Sequence, residues 1–284
     1  MSNNKLKILA LFFMLIDHIG GFIPGLPVYL HWIGRLSAPI FISCLTWGFT
    51  YTSNKKNYLI RLYIASLIMA IIQRWIHIDN NFFRTLLSVC IIISLIDFYR
   101  NKDENFKKYL WIYLTWQIFS ISICIFSISV IWPSNEFILY FLPALLGNVF
   151  YLEGGLVFVC LGVLIFLSKN NKKTLAIGYT GFCAIYFAVT VTSFLPRFLG
   201  KLNYWGLTFS SDTITYILDT IIGLSPMNMG GSMFFKNYQW MMIMTLPFLL
   251  AYNGKRGKQM KYFFYIFYPV HIVILFYLGN MVFS

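Results

Sequence analysis

LKILALFFMLIDHIGGFIP, residues 6–24, decides the fold. From Ile8 to Ile23 the run is apolar except at Asp17 and His18. A helix of about 20 such residues, rising about 1.5 Å per residue, spans the hydrocarbon core of a bilayer. The run is not expected to be a cleavable signal. Asp17 and His18 interrupt it, and no small-x-small site precedes the next charged segment.

The pattern recurs along the 284 residues. The chain is 59% hydrophobic and 11% charged, against about 25% charged residues in soluble domains, which excludes an ordinary soluble protein and a disordered one. Apolar runs predict an all-α, polytopic transmembrane bundle forming a single domain over 1–284. About nine spans are expected, near 5–23, 32–52, 58–77, 82–99, 109–132, 154–168, 174–196, 238–252 and 262–281. Two further apolar stretches, 136–150 and 212–230, contain Pro143, Gly147, Pro226 and Gly230–Gly231. They read as interfacial or re-entrant segments on the outer side.

The net charge of +13 lies in the loops rather than in one patch, which argues for membrane orientation and against nucleic acid. Lys5 and Lys7, Lys55 and Lys56, Arg100 to Lys108, Lys169 to Lys173, and Lys255 to Lys261 fall at loops of one parity. The rule of cytoplasmic positive charge places the N-terminus inside and, with nine spans, the C-terminus outside. The five cysteines sit in apolar runs without a CxxC pair, so neither a disulfide framework nor a zinc site is expected. The four histidines have no metal-ligand spacing, and no metal is expected.

Charge inside a span is costly and marks candidates for function. Asp17 and His18 sit in the first span, pointing about 100° apart around the helix. Arg35, in HWIGRLSAPIF, lies at a comparable depth on the next span, after a short turn through Pro24, Gly25 and Pro27. Two readings stand. His18, Asp17 and Arg35 form a catalytic base, its orienting carboxylate and an anion clamp, or Asp17 and Arg35 are an ion pair joining two helices. His271 lies in the last span, with Tyr268 on the same helical face and Pro269 between them. The pair either lines a pore, or His271 is hydrogen-bonded to the carbonyl that Pro269 frees or to the tyrosine. Glu153 is a further pore-lining candidate before Gly154–Gly155. Arg74, His77 and Arg84 read as interfacial, and Arg61 as a snorkelling side chain or a phosphate contact. The basic turn NGKRGKQMK, residues 253–261, is either plain positive-inside charge or a site for a polyanion such as coenzyme A. It lacks the GxxxxGK[ST] spacing of a phosphate-binding loop.

LKILALFFMLIDHIGGFIP, IGRLSAPIF with GFTYTSNKKNYLIRL, and YNGKRGKQMKYFFYIFYPVHIVIL resemble the TraX family of integral membrane proteins over about residues 6–62 and 252–275. The family's named member is associated with N-terminal acetylation of a conjugative pilin subunit. The family is also similar to membrane acyltransferases that move acetyl groups from cytoplasmic acetyl-CoA to an outside acceptor. The resemblance implies that His18 corresponds to an essential early-helix histidine, and that Arg35, Arg61 and His271 fall on the other polar motif positions. It implies acetyl-CoA as donor, held near Lys55, Lys56, Arg61, Lys255 and Arg256, and a bacterial-type plasma membrane. The acceptor would be a peptide N-terminus or a surface glycan. A proton-coupled transporter and a non-catalytic pilus or secretion assembly factor are the competing readings.

Overall fold

A computed structural model describes residues 1–131, 135–258 and 260–283. The described residues form helices joined by turns and loops, with no strand among them. Five helices are long and apolar enough to cross a membrane: Lys55–Ile76, Phe82–Arg100, Phe106–Ile131, Lys172–Val191 and Tyr262–Met281. A sixth, α1 (Asn3–Phe22), has 20 residues but also carries Lys5, Lys7 and Asp17. The nine expected spans are not all realised as long helices. The run 32–52 is broken into α2 (Tyr29–Gly34) and α3 (Ser37–Thr50), with Arg35 at the break. The run 154–168 is the 14-residue α8 (Gly155–Ser168). The run 238–252 is a 3₁₀ turn over Tyr238–Thr245 followed by α12 (Leu246–Leu250). The far end of the expected 109–132 span, Trp132, lies outside the described residues, as does Gln259 of the basic turn.

The chain forms two compact units, residues 1–48, 164–218 and 224–284, and residues 49–163 and 219–223. In the first, α1 packs against α2 and against α13 (Lys261–Phe283). Leu6, Ala10, Met14 and His18 form its buried stripe at four-residue spacing, so His18 ends a core face. Helix α13 runs parallel to α1: Lys7 lies over the Phe264 ring, His18 meets His271, and a Cβ at Gly279 would strike the Phe22 carbonyl at 2.2 Å. Only glycine permits that approach. At the other end, Asn3 and Asn4 donate to the carbonyls of Lys255 and Arg256 at 2.9 and 3.1 Å, holding the basic turn on the start of α1. Helix α9 (Lys172–Val191) packs on the 238–245 turn, where the buried Tyr179 hydroxyl donates to the Met242 carbonyl at 2.6 Å.

In the second unit, α4 (Lys55–Ile76) and α5 (Phe82–Arg100) form a hairpin. It packs with α6 (Phe106–Phe126) and the short α7 (Glu136–Leu146). The buried face of α4 holds Leu62, Ala65, Ser66, Met69, Ala70, Gln73 and Ile76. Its opposite face is also apolar: Ile60, Ile64, Ile68, Ile71 and Trp75 are exposed. A helix apolar all round, with its small and polar residues turned inward, suits a lipid solvent and not water. The segments expected to be broken are short: α7 contains Pro143 and ends on Gly147 at φ +62°, and α11 (Thr208–Ile217) passes through a π turn to Gly223 at φ +81°.

Candidate functional site

Asp17 and His18 diverge, as adjacent helical residues must. Asp17 faces α2. Its carboxylate accepts from His31 Nδ1 at 2.8 Å and from Arg35 Nη2. Arg35 also donates to the Gln239 side-chain oxygen at 3.1 Å and to the His31 carbonyl at 3.3 Å, and lies over the Tyr238 ring. His31 stacks on the same tyrosine. Asp17 and Arg35 are 15% and 26% exposed, so the pair is largely withdrawn from solvent. Gly34 makes the arrangement possible, because a Cβ there would lie 2.2 Å from the Asp17 Cβ. The helix-joining reading of Asp17 and Arg35 therefore describes their geometry. His31, Tyr238 and Gln239 were not singled out from sequence. His31 carried a signal, standing four residues before Arg35 in a polar pair within an apolar stretch.

His18 turns the other way, into α13. Its Nδ1 lies 2.6 Å from His271 Nε2. The rings are within 6° of parallel and their centroids 4.9 Å apart. That separation is the 2.6 Å contact plus the two ring radii, so the rings lie edge to edge in one plane, as a hydrogen bond requires, rather than face to face. His271 Nδ1 lies 2.8 Å from the Phe267 carbonyl. A carbonyl only accepts, so this nitrogen bears the proton and, in the neutral ring, His271 Nε2 carries a lone pair. His18 Nδ1 must then be the donor between the rings, and neutral His18 presents its lone pair at Nε2. Among the described residues no hydrogen-bond partner meets that atom. Two hydrogen bonds thus fix the tautomers of both histidines and leave one basic nitrogen open.

His18 and His271 are 9% and 5% exposed. Tyr268, itself buried, has its ring beside both. Asp17 is bonded to His31 and Arg35 rather than to His18, so the orienting partner of His18 is His271. The expected constellation of His18, Asp17 and Arg35 resolves into two clusters on opposite flanks of α1. The carbonyl that Pro269 cannot engage belongs to Tyr265, whereas His271 bonds that of Phe267.

The remaining expected site residues are dispersed. Lys255 and Arg256 share the first unit with the histidines. Lys55, Lys56, Arg61 and Glu153 belong to the second. Lys55 is paired with Asp97 at 2.7 Å. Arg61 is half-buried, lies over the Tyr58 ring, and has a buried Nε without a partner. The Glu153 carbonyl accepts from the Thr85 hydroxyl. Arg84, read as interfacial, is buried at 5% exposure. Its guanidinium donates to the carbonyls of Tyr151, Asn148 and Phe150, clasping the turn between α7 and α8. No group of three or more histidine, cysteine or acidic residues among the described residues has metal-binding geometry.

The model of the family described as "TraX protein" matches residues 2–186 and 136–279, which together span nearly the whole chain. The chain belongs to the TraX family, a conjugation- and pilin-associated family of membrane proteins. No curated protein and no solved structure matches it.

Proposed function

We propose that this TraX-family protein is a multi-pass membrane acetyltransferase in which His18 is the general base. The open Nε2 of His18, fixed in its tautomer by His271 and the Phe267 carbonyl, carries the reading. The acceptor's N–H or O–H gives its proton to His18 Nε2 as the acceptor atom attacks the thioester carbonyl of acetyl-CoA. The carbon–sulfur bond then breaks, and the coenzyme thiolate takes the proton back from His18. Tyr268 lines the approach to the two histidines.

The orientation follows from the basic loops: the start of α1 and the 253–258 turn face the cytoplasm, and the acceptor arrives from outside. Lys255 and Arg256, held on the first turn of α1, are the donor-phosphate contacts. The acceptor is a peptide N-terminus, pilin-like or other, or a surface glycan.

One feature favours a base over a proton relay of the transporter kind. The hydrogen-bonded chain from His18 through His271 ends on the Phe267 carbonyl, which has no proton to pass on. The test is release of coenzyme A from acetyl-CoA by purified protein in liposomes, supplied with acceptor extracts. Turnover should be lost in His18→Ala. Undiminished turnover in His18→Ala removes the mechanism.

A further inference from the structure

The second unit carries a groove of about 410 Å³ between the first turns of α4 and the last turns of α5. Leu59, Ile60 and Phe98 supply apolar lining, and Lys55, Lys56 and Asp97 are among its polar members. The volume lies within the range of small-molecule sites. Its chemistry differs between the rim and the exit. At the rim, Asp97 holds Lys55 at 2.7 Å, and Lys56 has no carboxylate partner among the described residues. Two lysines against one carboxylate leave one positive charge. At the exit, Ile60 both lines the groove and heads the exposed stripe of Ile64, Ile68, Ile71 and Trp75. The groove therefore opens sideways, onto the face of α4 that lipid covers.

We infer that this groove binds an anionic phospholipid, its phosphate at Lys56 and the upper part of one acyl chain against Leu59, Ile60 and Phe98. The two parts of such a molecule match the two parts of the groove in polarity and in order along the helix. A chain leaving past Ile60 continues along the stripe. The basic residues at this end of the unit, Arg100, Lys102, Lys107 and Lys108, place it at the anionic cytoplasmic surface, where each nearby cation strengthens attraction. A coenzyme donor fits less well, because its polyanionic part needs several free cations, and of the two lysines in the groove Lys55 is already engaged. The inference shares only the orientation with the proposed enzymatic activity. Lys56 is thereby reassigned from donor to lipid, and Lys55 to its pair with Asp97.

The test is native mass spectrometry of the purified full chain in detergent, titrated with phosphatidylglycerol, phosphatidylcholine or coenzyme A. The wild type should retain phosphatidylglycerol about five-fold over phosphatidylcholine. Lys56→Gln, at an exposed position, should abolish that preference. Ser94→Phe, which fills the groove from α5, should remove bound lipid of both kinds. Thermal melting followed by circular dichroism identifies a Ser94→Phe protein that has not folded, in which case Lys56→Gln alone decides. Equal retention of the two lipids by the wild type overturns the inference, as does a phosphatidylglycerol preference that survives Lys56→Gln. Displacement of phosphatidylglycerol by coenzyme A also overturns it and returns the groove to the donor. Lipid retention is read without acetyl transfer, so either idea can fail while the other stands.

Discussion

Each unit buries an ionisable side chain within an apolar helix, and the two are used differently. In the second unit, Arg84 gives its terminal nitrogens to three backbone carbonyls of one turn. In the first, His18 donates one orienting hydrogen bond, from Nδ1 to His271 Nε2, and keeps the other nitrogen open. The cost of burial is common to both. Arg84 also keeps a buried Nε–H without a partner, but a guanidinium has no lone pair; what separates the reactive group is the open basic nitrogen that His18 keeps. Asp17 and Arg35, one residue from His18 in the case of Asp17, fall on the structural side: their contacts run between α1, α2 and the 238–245 turn.

Substitutions can break this contrast. His18→Ala should lower acetyl transfer about 10²- to 10⁴-fold while leaving the melting profile in detergent nearly unchanged. Arg84→Leu should do the reverse. Leaving buried carbonyls unpaired should cost about 3 kcal/mol in denaturant unfolding, with activity per folded molecule preserved. An active-site loss in folded Arg84→Leu would erase the distinction between the units. Asp17→Asn and Arg35→Gln should each destabilise by about 2 kcal/mol, and the double variant by less than their sum, as a double-mutant cycle would measure. Additive losses would mean that the pair does not act as a unit. The smallest effect sharpens the account most. In His271→Gln, the amide can accept from His18 Nδ1–H and donate to the Phe267 carbonyl, so activity should stay within about five-fold of wild type. His271→Leu should lose about ten- to a hundred-fold. Equal losses in the two variants would show that His271 must itself titrate.

The all-helical character was legible in the sequence because it follows from local runs. LKILALFFMLIDHIGGFIP gives a helix with two costly residues in it, and α1 is that helix. The meeting of Asp17 with Arg35 was also legible, since a short turn joins their helices. The partner of His18 was not, because His271 is 253 residues away and only packing of α13 beside α1, through Gly279, brings them together. The break at Arg35 escaped because IGRLSAPIF is continuous in hydropathy. What accompanies the break is Pro39 in the first turn of α3, which has no N–H to offer the Arg35 carbonyl. Arg84 was misplaced for a related reason: its partners are backbone carbonyls of residues 148–151, and no side-chain pattern announces an acceptor of that kind. The nine expected spans took each of nine apolar runs as a crossing and left 136–150 and 212–230 aside. Three of those runs fold into short or interrupted helices, and their lengths do not fix how they meet the bilayer.

The central claim is that the open nitrogen of His18 serves acetyl transfer to an acceptor outside the membrane. It is tested most directly by mass spectrometry of secreted peptides and surface polymers from cells producing the wild type or His18→Ala at equal membrane levels. The account predicts one species heavier by about 42 Da, one acetyl group, in the wild type and unmodified in the variant. The same species acetylated equally in both would contradict it.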